Sequence, residues 1–170
     1  MTDKDPARLC PDARLSRPTK LRDGRAIVDI DTYVPYFLSS VSNAMSRGAS
    51  QIYLDRFGIG IVDWRVISML AIEPWIPASR ICAVVQLDKG ATSRSLVKLV
   101  ETGFLDHEAS EQDARRKTYA LNDKGYALHD EILAIALERE RALIQGVEPE
   151  DLEAFLRVMR VMKDNLRYVE

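Results

Sequence analysis

A mainly α fold with one small β-hairpin is the architecture that this chain of 170 residues predicts. Three observations predict it. Apolar residues recur at helical spacing over two long stretches, one near each end of the chain. Between them, residues 76–121 read as two short helices, a tight turn and two alternating strands. Glycine, proline and Asx residues fall at the joints of these segments.

Taken in order, residues 1–30 hold Pro6, Pro11, Pro18 and Gly24 with no sustained apolar period, so they read as a flexible arm. Its first 25 residues carry seven basic side chains against four acidic ones. That excess could draw phosphate, although a solvated tail is the simpler reading. A long helix is expected from Thr32 to Phe57, with Asp31 as its N-cap and Pro35 in the first turn, where a missing N–H costs little. Val34, Phe37, Leu38, Val41, Met45, Ile52 and Phe57 mark its apolar face, and Gly58 and Gly60 end it. Asp63 is expected to cap a second helix from Trp64 to Ile72, which breaks at Glu73-Pro74-Trp75.

The central block then predicts a helix at Ile76–Val85, a turn at Gln86-Leu87-Asp88 and a helix at Lys89–Thr102 that stops at Gly103. A strand at Phe104–Glu108, a polar tip at Ala109–Ala114 and a basic strand at Arg115–Leu121 follow. Asn122 and Asp123 offer caps for a helix reaching Gln145, and Gly146 stops it. Pro149 opens a last helix to about Arg167, with Leu152, Phe155, Leu156, Met159, Met162 and Leu166 along one stripe. The first and last helices have more apolar face than one small domain needs. The pattern therefore predicts a homodimer packed through residues 31–60 and 123–168, around a winged helix-turn-helix at residues 61–122.

Two short helices joined by a three-residue turn are the geometry that lays a second helix in the major groove of DNA, with the hairpin as a wing. Asp88 can cap that helix, and small Gly90 and Ala91 let its start approach the duplex. Lys89, Ala91, Thr92, Ser93, Arg94 and Lys98 are the expected contacts on it, joined by Ser79 on the helix before. Arginine grips guanine through paired acceptors, while serine and threonine serve bases or phosphates. At the wing Asp113 can hold Arg115, so that Arg115 or Arg116 enters the minor groove and Lys117 touches phosphate.

Charge and composition agree with this. The net charge is −2, but residues 80–98 carry Arg80, Lys89, Arg94 and Lys98 against Asp88, while residues 138–153 are dominated by glutamate. DNA binding needs only a local basic surface. No apolar run approaches membrane-spanning length, and the charged start of the chain is no secretory signal. Two cysteines and two histidines, His107 and His129, form neither a disulfide scaffold nor a metal set, and no catalytic constellation is visible. A cytoplasmic, non-enzymatic protein without cofactor or metal is expected.

The phrases Leu87-Asp88-Lys89-Gly90-Ala91-Thr92-Ser93-Arg94-Ser95-Leu96, Leu99-Val100-Glu101-Thr102-Gly103-Phe104-Leu105, Asp113-Ala114-Arg115-Arg116 and Leu121-Asn122-Asp123-Lys124-Gly125 resemble the MarR family of bacterial transcription regulators. The family's wing has Asp-x-Arg and then Leu-Thr-x-x-Gly, and the threonine is Asn122 here. The resemblance spans roughly residues 32–168. It implies a homodimeric regulator, most often a repressor, on a palindromic operator in double-stranded DNA. It also implies a small effector, for which Tyr36, Trp64, Arg65, Trp75 and His129 are candidates: aromatic walls and a cation suit an aromatic acid or its thioester. Some members sense oxidants through a cysteine, but Cys82 reads as core filler and Cys10 lies in the arm. A thiol sensor on the same fold and a winged helix that binds protein instead of DNA are the alternatives.

Overall fold

The computed structural model describes residues 10–11, 13–109 and 117–168. Its elements run β1 (Thr19–Arg22), β2 (Arg25–Val28), α1 (Val34–Phe57), α2 (Ile61–Ile72), β3 (Ile76–Pro77), α3 (Ala78–Val85), α4 (Lys89–Glu101), β4 (Leu105–Ala109), β5 (Lys117–Leu121), α5 (Asp123–Leu143) and α6 (Pro149–Asn165), with a last 3-10 turn at Leu166–Tyr168. The chain divides after Ile61 into two compact units.

In the first unit, β1 and β2 form an antiparallel hairpin pairing Thr19 with Val28 and Arg22 with Arg25. This is regular structure where a plain arm was expected. Its cause is Asp23-Gly24: both residues have positive φ, 52° and 74°, the two-residue turn whose twist suits adjoining strands. The Lys20 ammonium reaches Asp29 at 3.0 Å, and that hydrogen bond holds the Asp29 carboxyl below its usual range. The N–H groups of Thr32 and Tyr33 go to the Asp29 carbonyl at 3.1 and 2.8 Å. This turn occupies the place where Asp31 was expected to cap. Helix α1 therefore starts two residues later, with Tyr33 at its N-cap and no side-chain cap, and Pro35 sits in its first turn. It ends as anticipated at Gly58, with φ 68°.

The second unit holds the sheet and five helices. Ile76-Pro77 is a short strand rather than the start of a helix. It pairs Ile76 with Tyr119 and Pro77 with Thr118, at one edge of a sheet ordered β3-β5-β4. A residue before proline is pushed to extended backbone, and proline is tolerated on a sheet edge. Helix α3 thus begins only at Ala78 and ends at Val85, with Gln86 as a left-handed C-cap at φ 54°. Helix α4 stops at Glu101, with Thr102 as C-cap and Gly103 at φ 74°. Strand β4 starts at Leu105, one residue after Phe104. The expected wing tip, with Asp113, Arg115 and Arg116, lies outside the described residues.

The core of this unit is Val66, Ile67 and Leu70 from α2, Ile81 from α3, Leu96 and Leu99 from α4, Leu105 and Leu121 from the strands, and Leu128 and Ile132 from α5. Strands and helices come close together at Gly125, in the first turn of α5 and buried. A Cβ there would lie 2.2 Å from the Phe104 carbonyl oxygen and 3.1 Å from the Leu121 side chain. Only a residue without a side chain fits. Gly125→Ala should therefore cost roughly 1–3 kcal/mol or more through overpacking. At about 2–4 °C per kcal/mol for a chain of this size, thermal unfolding will show the loss. Gly60→Ala, where a Cβ meets nothing within 4 Å, is the control. Equal unfolding temperatures for the two variants would contradict the close approach.

Candidate nucleic-acid interface

Helix α4 is positioned at its start, its middle and its end by different parts of the chain. At the start the Asp88 carboxylate accepts the Ala91 N–H at 2.9 Å, the cap the sequence anticipates. Gly90 leaves room for that cap. A Cβ on it would come within 3.1 Å of the Asp88 carboxylate and 3.3 Å of the Arg94 guanidinium. In the middle Asp63 reaches across from α2. Its two oxygens accept from the Ser95 hydroxyl and from the Lys98 ammonium, each at 2.7 Å.

Asp63 is the main correction to the sequence reading. It stands within the first turn of α2, which begins at Ile61 rather than at Trp64, and it is buried. Its partners are 32 and 35 residues away, so no local pattern could have revealed the link. Lys98 is committed in part to Asp63: its side chain is partly exposed, while that of Asp63 is nearly buried. Besides its expected place as a phosphate contact, Lys98 holds α4 against α2. Thr92 is fully buried, and its hydroxyl donates to the Asp88 carbonyl at 3.0 Å. It serves the helix start and presents nothing to DNA.

At the far end, Lys124 donates to the Thr102 carbonyl at 2.9 Å and lies 4.5 Å from the centre of the Phe104 ring. The Asn122 side chain accepts the Gly125 N–H at 3.0 Å and donates to the Gly103 carbonyl at 3.2 Å. The residue that departs from the family's threonine therefore caps α5 and ties it to the end of α4.

What remains outward on α4 is a strip of Lys89, Gly90, Ser93, Arg94, Val97 and, at its far end, the acidic Glu101, all exposed, with Ala91 partly so. Val97, 54% exposed, was not among the expected contacts. It follows Ser93 by four residues and Arg94 by three, so helical spacing alone could have found it. An outward valine on such a strip suits a thymine methyl group. Beside the strip an open hollow of about 230 Å³ is lined by Val62, Asp63, Ala91, Arg94, Ser95 and Lys98. Ser79 is exposed on α3, and its neighbour Arg80 is held by Glu73 at 3.0 and 3.1 Å. Lys117 is exposed at the start of β5. On the same hairpin His107 faces Tyr119 across the strands, ring centres 6.2 Å apart, and burial raises the Tyr119 phenol above its ordinary range.

Of the effector candidates, Trp64 and His129 come together, stacked with ring centres 5.6 Å apart. The His129 ring also bonds Asp130 at 2.9 Å. Arg65 is partly exposed on α2. Trp75 is exposed between α2 and β3 with φ 58°, and Tyr36 is half exposed on α1 in the first unit. Cys82 is partly buried on α3, and its carbonyl accepts the Gln86 N–H that closes that helix. Among the described residues no group of three His, Cys, Asp or Glu could hold a metal ion. No described helix is long and apolar enough to cross a membrane.

Two helices joined by a capped turn, the second presenting a basic outward strip and flanked by a two-stranded hairpin, define a winged helix-turn-helix. Residues 57–116 match the model of the MarR family. A MarR/EmrR family regulator from Acinetobacter sp. ADP1 is 25% identical, with a TM-score of 0.75 over 83% of this chain and 99% of its own. The S. aureus MepR–DNA complex superposes with a TM-score of 0.67 at 22% identity, covering 78% of this chain and 95% of its own. The PcaV regulator from Streptomyces coelicolor, solved with its natural ligand, gives 0.68 at 19% identity, over 82% and 98%. No curated protein matches the chain by sequence. The chain thus resembles the MarR family over residues 57–116, and it has the fold of MarR-family transcriptional regulators.

The Asp63 link carries a testable consequence. Asp63→Ala strips an acceptor from the buried Ser95 hydroxyl and from Lys98, and should cost about 1–3 kcal/mol. Lys98→Ala should also lower stability, which loss of a surface phosphate contact would not do. Denaturant unfolding of both variants decides it, and a Lys98→Ala protein as stable as its parent would return Lys98 to a surface role.

Proposed function

We propose that the chain is a sequence-specific DNA-binding transcription regulator of the cytoplasm. It acts as a homodimer on a palindromic operator, represses, and is released by a small aromatic acid or thioester. The outward strip of α4 carries the reading. Lys89, Ser93, Arg94 and Val97 share one exposed face, while every other face of that helix is spent on the cap, the Asp63 link and the core. A helix so fixed presents base-contacting groups with no further backbone ordering to be done on binding, and only the exposed side chains give up rotamer freedom. Arg94 reads guanine, Val97 meets thymine, and Lys89 and Ser93 hold phosphate. Lys117 takes a phosphate, and Arg115 and Arg116 serve the minor groove.

Dimerisation is supported by faces that one chain leaves uncovered. Helix α6 has no buried residue, and Phe155, Val158 and Val161 on it are about half exposed. On α1, Phe37, Leu38, Val41 and Met45 are open in the same way. Exposed apolar side chains in this number suit an interface. Effector response is supported by residue type, with the Trp64–His129 stack as the aromatic wall and Arg65 as the cation. Coupling between such a site and the reading heads is typically ~1–3 kcal/mol, about 5–150-fold in operator affinity.

Three measurements follow. Light scattering at micromolar concentration should give twice the chain mass of 19.2 kDa, and a clean monomer would remove the dimer and the palindrome with it. Arg94→Ala should cost ~1–3 kcal/mol and blur preference at one base pair per half-site. If it binds operator and scrambled duplex as the parent does, α4 does not face DNA. Screening aromatic acids and their thioesters for release of the operator tests the effector, and uniform inactivity would discard that ligand class.

A further inference from the structure

The N-terminal hairpin has two unlike faces. Strand alternation and the cross-strand register put Lys20, Arg22, Arg25 and Ile27 on one face and Thr19, Leu21, Ala26 and Val28 on the other. Arg22 and Arg25 are direct partners across the ladder, both exposed, on either side of the Asp23-Gly24 turn. Like charges placed opposite each other weaken a ladder, and a two-stranded hairpin is marginal to begin with. This sequence thus keeps a feature that opposes its own local fold. Over residues 13–28 five basic side chains (Arg14, Arg17, Lys20, Arg22 and Arg25) stand against one acidic one, Asp23.

The ion pairs on this face are weak. Arg22 is 3.9 Å from Asp23, and Lys20 meets Asp29 at 3.0 Å, with both cations largely exposed. Exposed pairs contribute little, so a phosphate oxygen can displace either carboxylate. An anion set between Arg22 and Arg25 turns their repulsion into two charge-assisted forks. The face carries no aromatic ring on which single-stranded bases could stack, which favours the backbone of a duplex.

We propose that the β1–β2 hairpin is a second contact with double-stranded DNA, taking backbone phosphates through Arg22 and Arg25 without reading sequence. This rests on the DNA-binding reading of α4. The test uses the full chain, the double variant Arg22→Gln/Arg25→Gln, and duplexes of two kinds: one selected by the parent from random sequence, and its scrambled counterpart. Each phosphate contact contributes about 0.9 to the slope of log affinity against log salt. The double variant should therefore have a slope shallower by about 1.8 per chain, and should weaken on both duplexes by the same factor. Glutamine relieves the repulsion and preserves the register, so a lost slope reports charge and not unfolding. Arg22→Lys/Arg25→Lys should keep the parental slope. A double variant with the parental slope overturns the hairpin contact alone, and so does a loss confined to the selected duplex. A parent that binds neither duplex overturns the reading of α4 and the hairpin contact together.

Discussion

Asp63 bridges two elements that chain connectivity leaves far apart. It projects from the first turn of α2 and meets Ser95 and Lys98 on successive turns of α4. Because those residues stand three apart on a helix, one carboxylate with two oxygens fixes both the rotation and the height of α4. The rotation then decides everything else about that helix. Leu96 and Leu99 turn inward, Thr92 is buried beneath the cap, and Arg94 and Val97 are left outside. Among the described residues every buried side-chain nitrogen or oxygen has a hydrogen-bond partner. The burial of this charge is thereby compensated.

The far end of the helix is governed by backbone geometry instead. Gly103 takes the left-handed conformation after the C-cap. The Phe104 carbonyl then lies so close to Gly125 that no side chain fits between them. Asn122 and Lys124 satisfy the carbonyls of Gly103 and Thr102, groups that a helix end leaves without partners. A short stretch, residues 122–125, thus ends the sheet, starts α5 and closes α4.

Features that depend on near neighbours were legible in the sequence. Asp88 three residues before Ala91, Gly58 after Phe57, Pro149 at a helix start and the order of helices and strands all follow local rules. The misses have two causes. Some local signals were passed over: Asp23-Gly24 between Arg22 and Arg25 is a hairpin turn, Ile76 before Pro77 is extended, and Val97 lies in step with Ser93. Other facts are tertiary. Nothing near Asp63 says that its carboxylate belongs to Ser95 and Lys98, and nothing near Thr92 says that it is wholly covered. Polar residues on one helix could therefore be assigned to DNA from sequence, but only packing separates those that face outward from those that hold the helix in place.

The bond between Lys124 and the end of α4 has a mechanical consequence. Helix α5 spans 21 residues, roughly 31 Å at 1.5 Å per residue, and its first turn is seated against Gly103 and Phe104 without slack. A rigid rod pivoting at that seat converts a tilt of about 5° into roughly 3 Å of travel at its far end. The relation also runs backwards: a few ångströms imposed near Leu143 become a small turn at the C-terminal end of α4. Because the seat is carbonyl oxygen against a bare Cα, the joint has no soft side chain to absorb that turn.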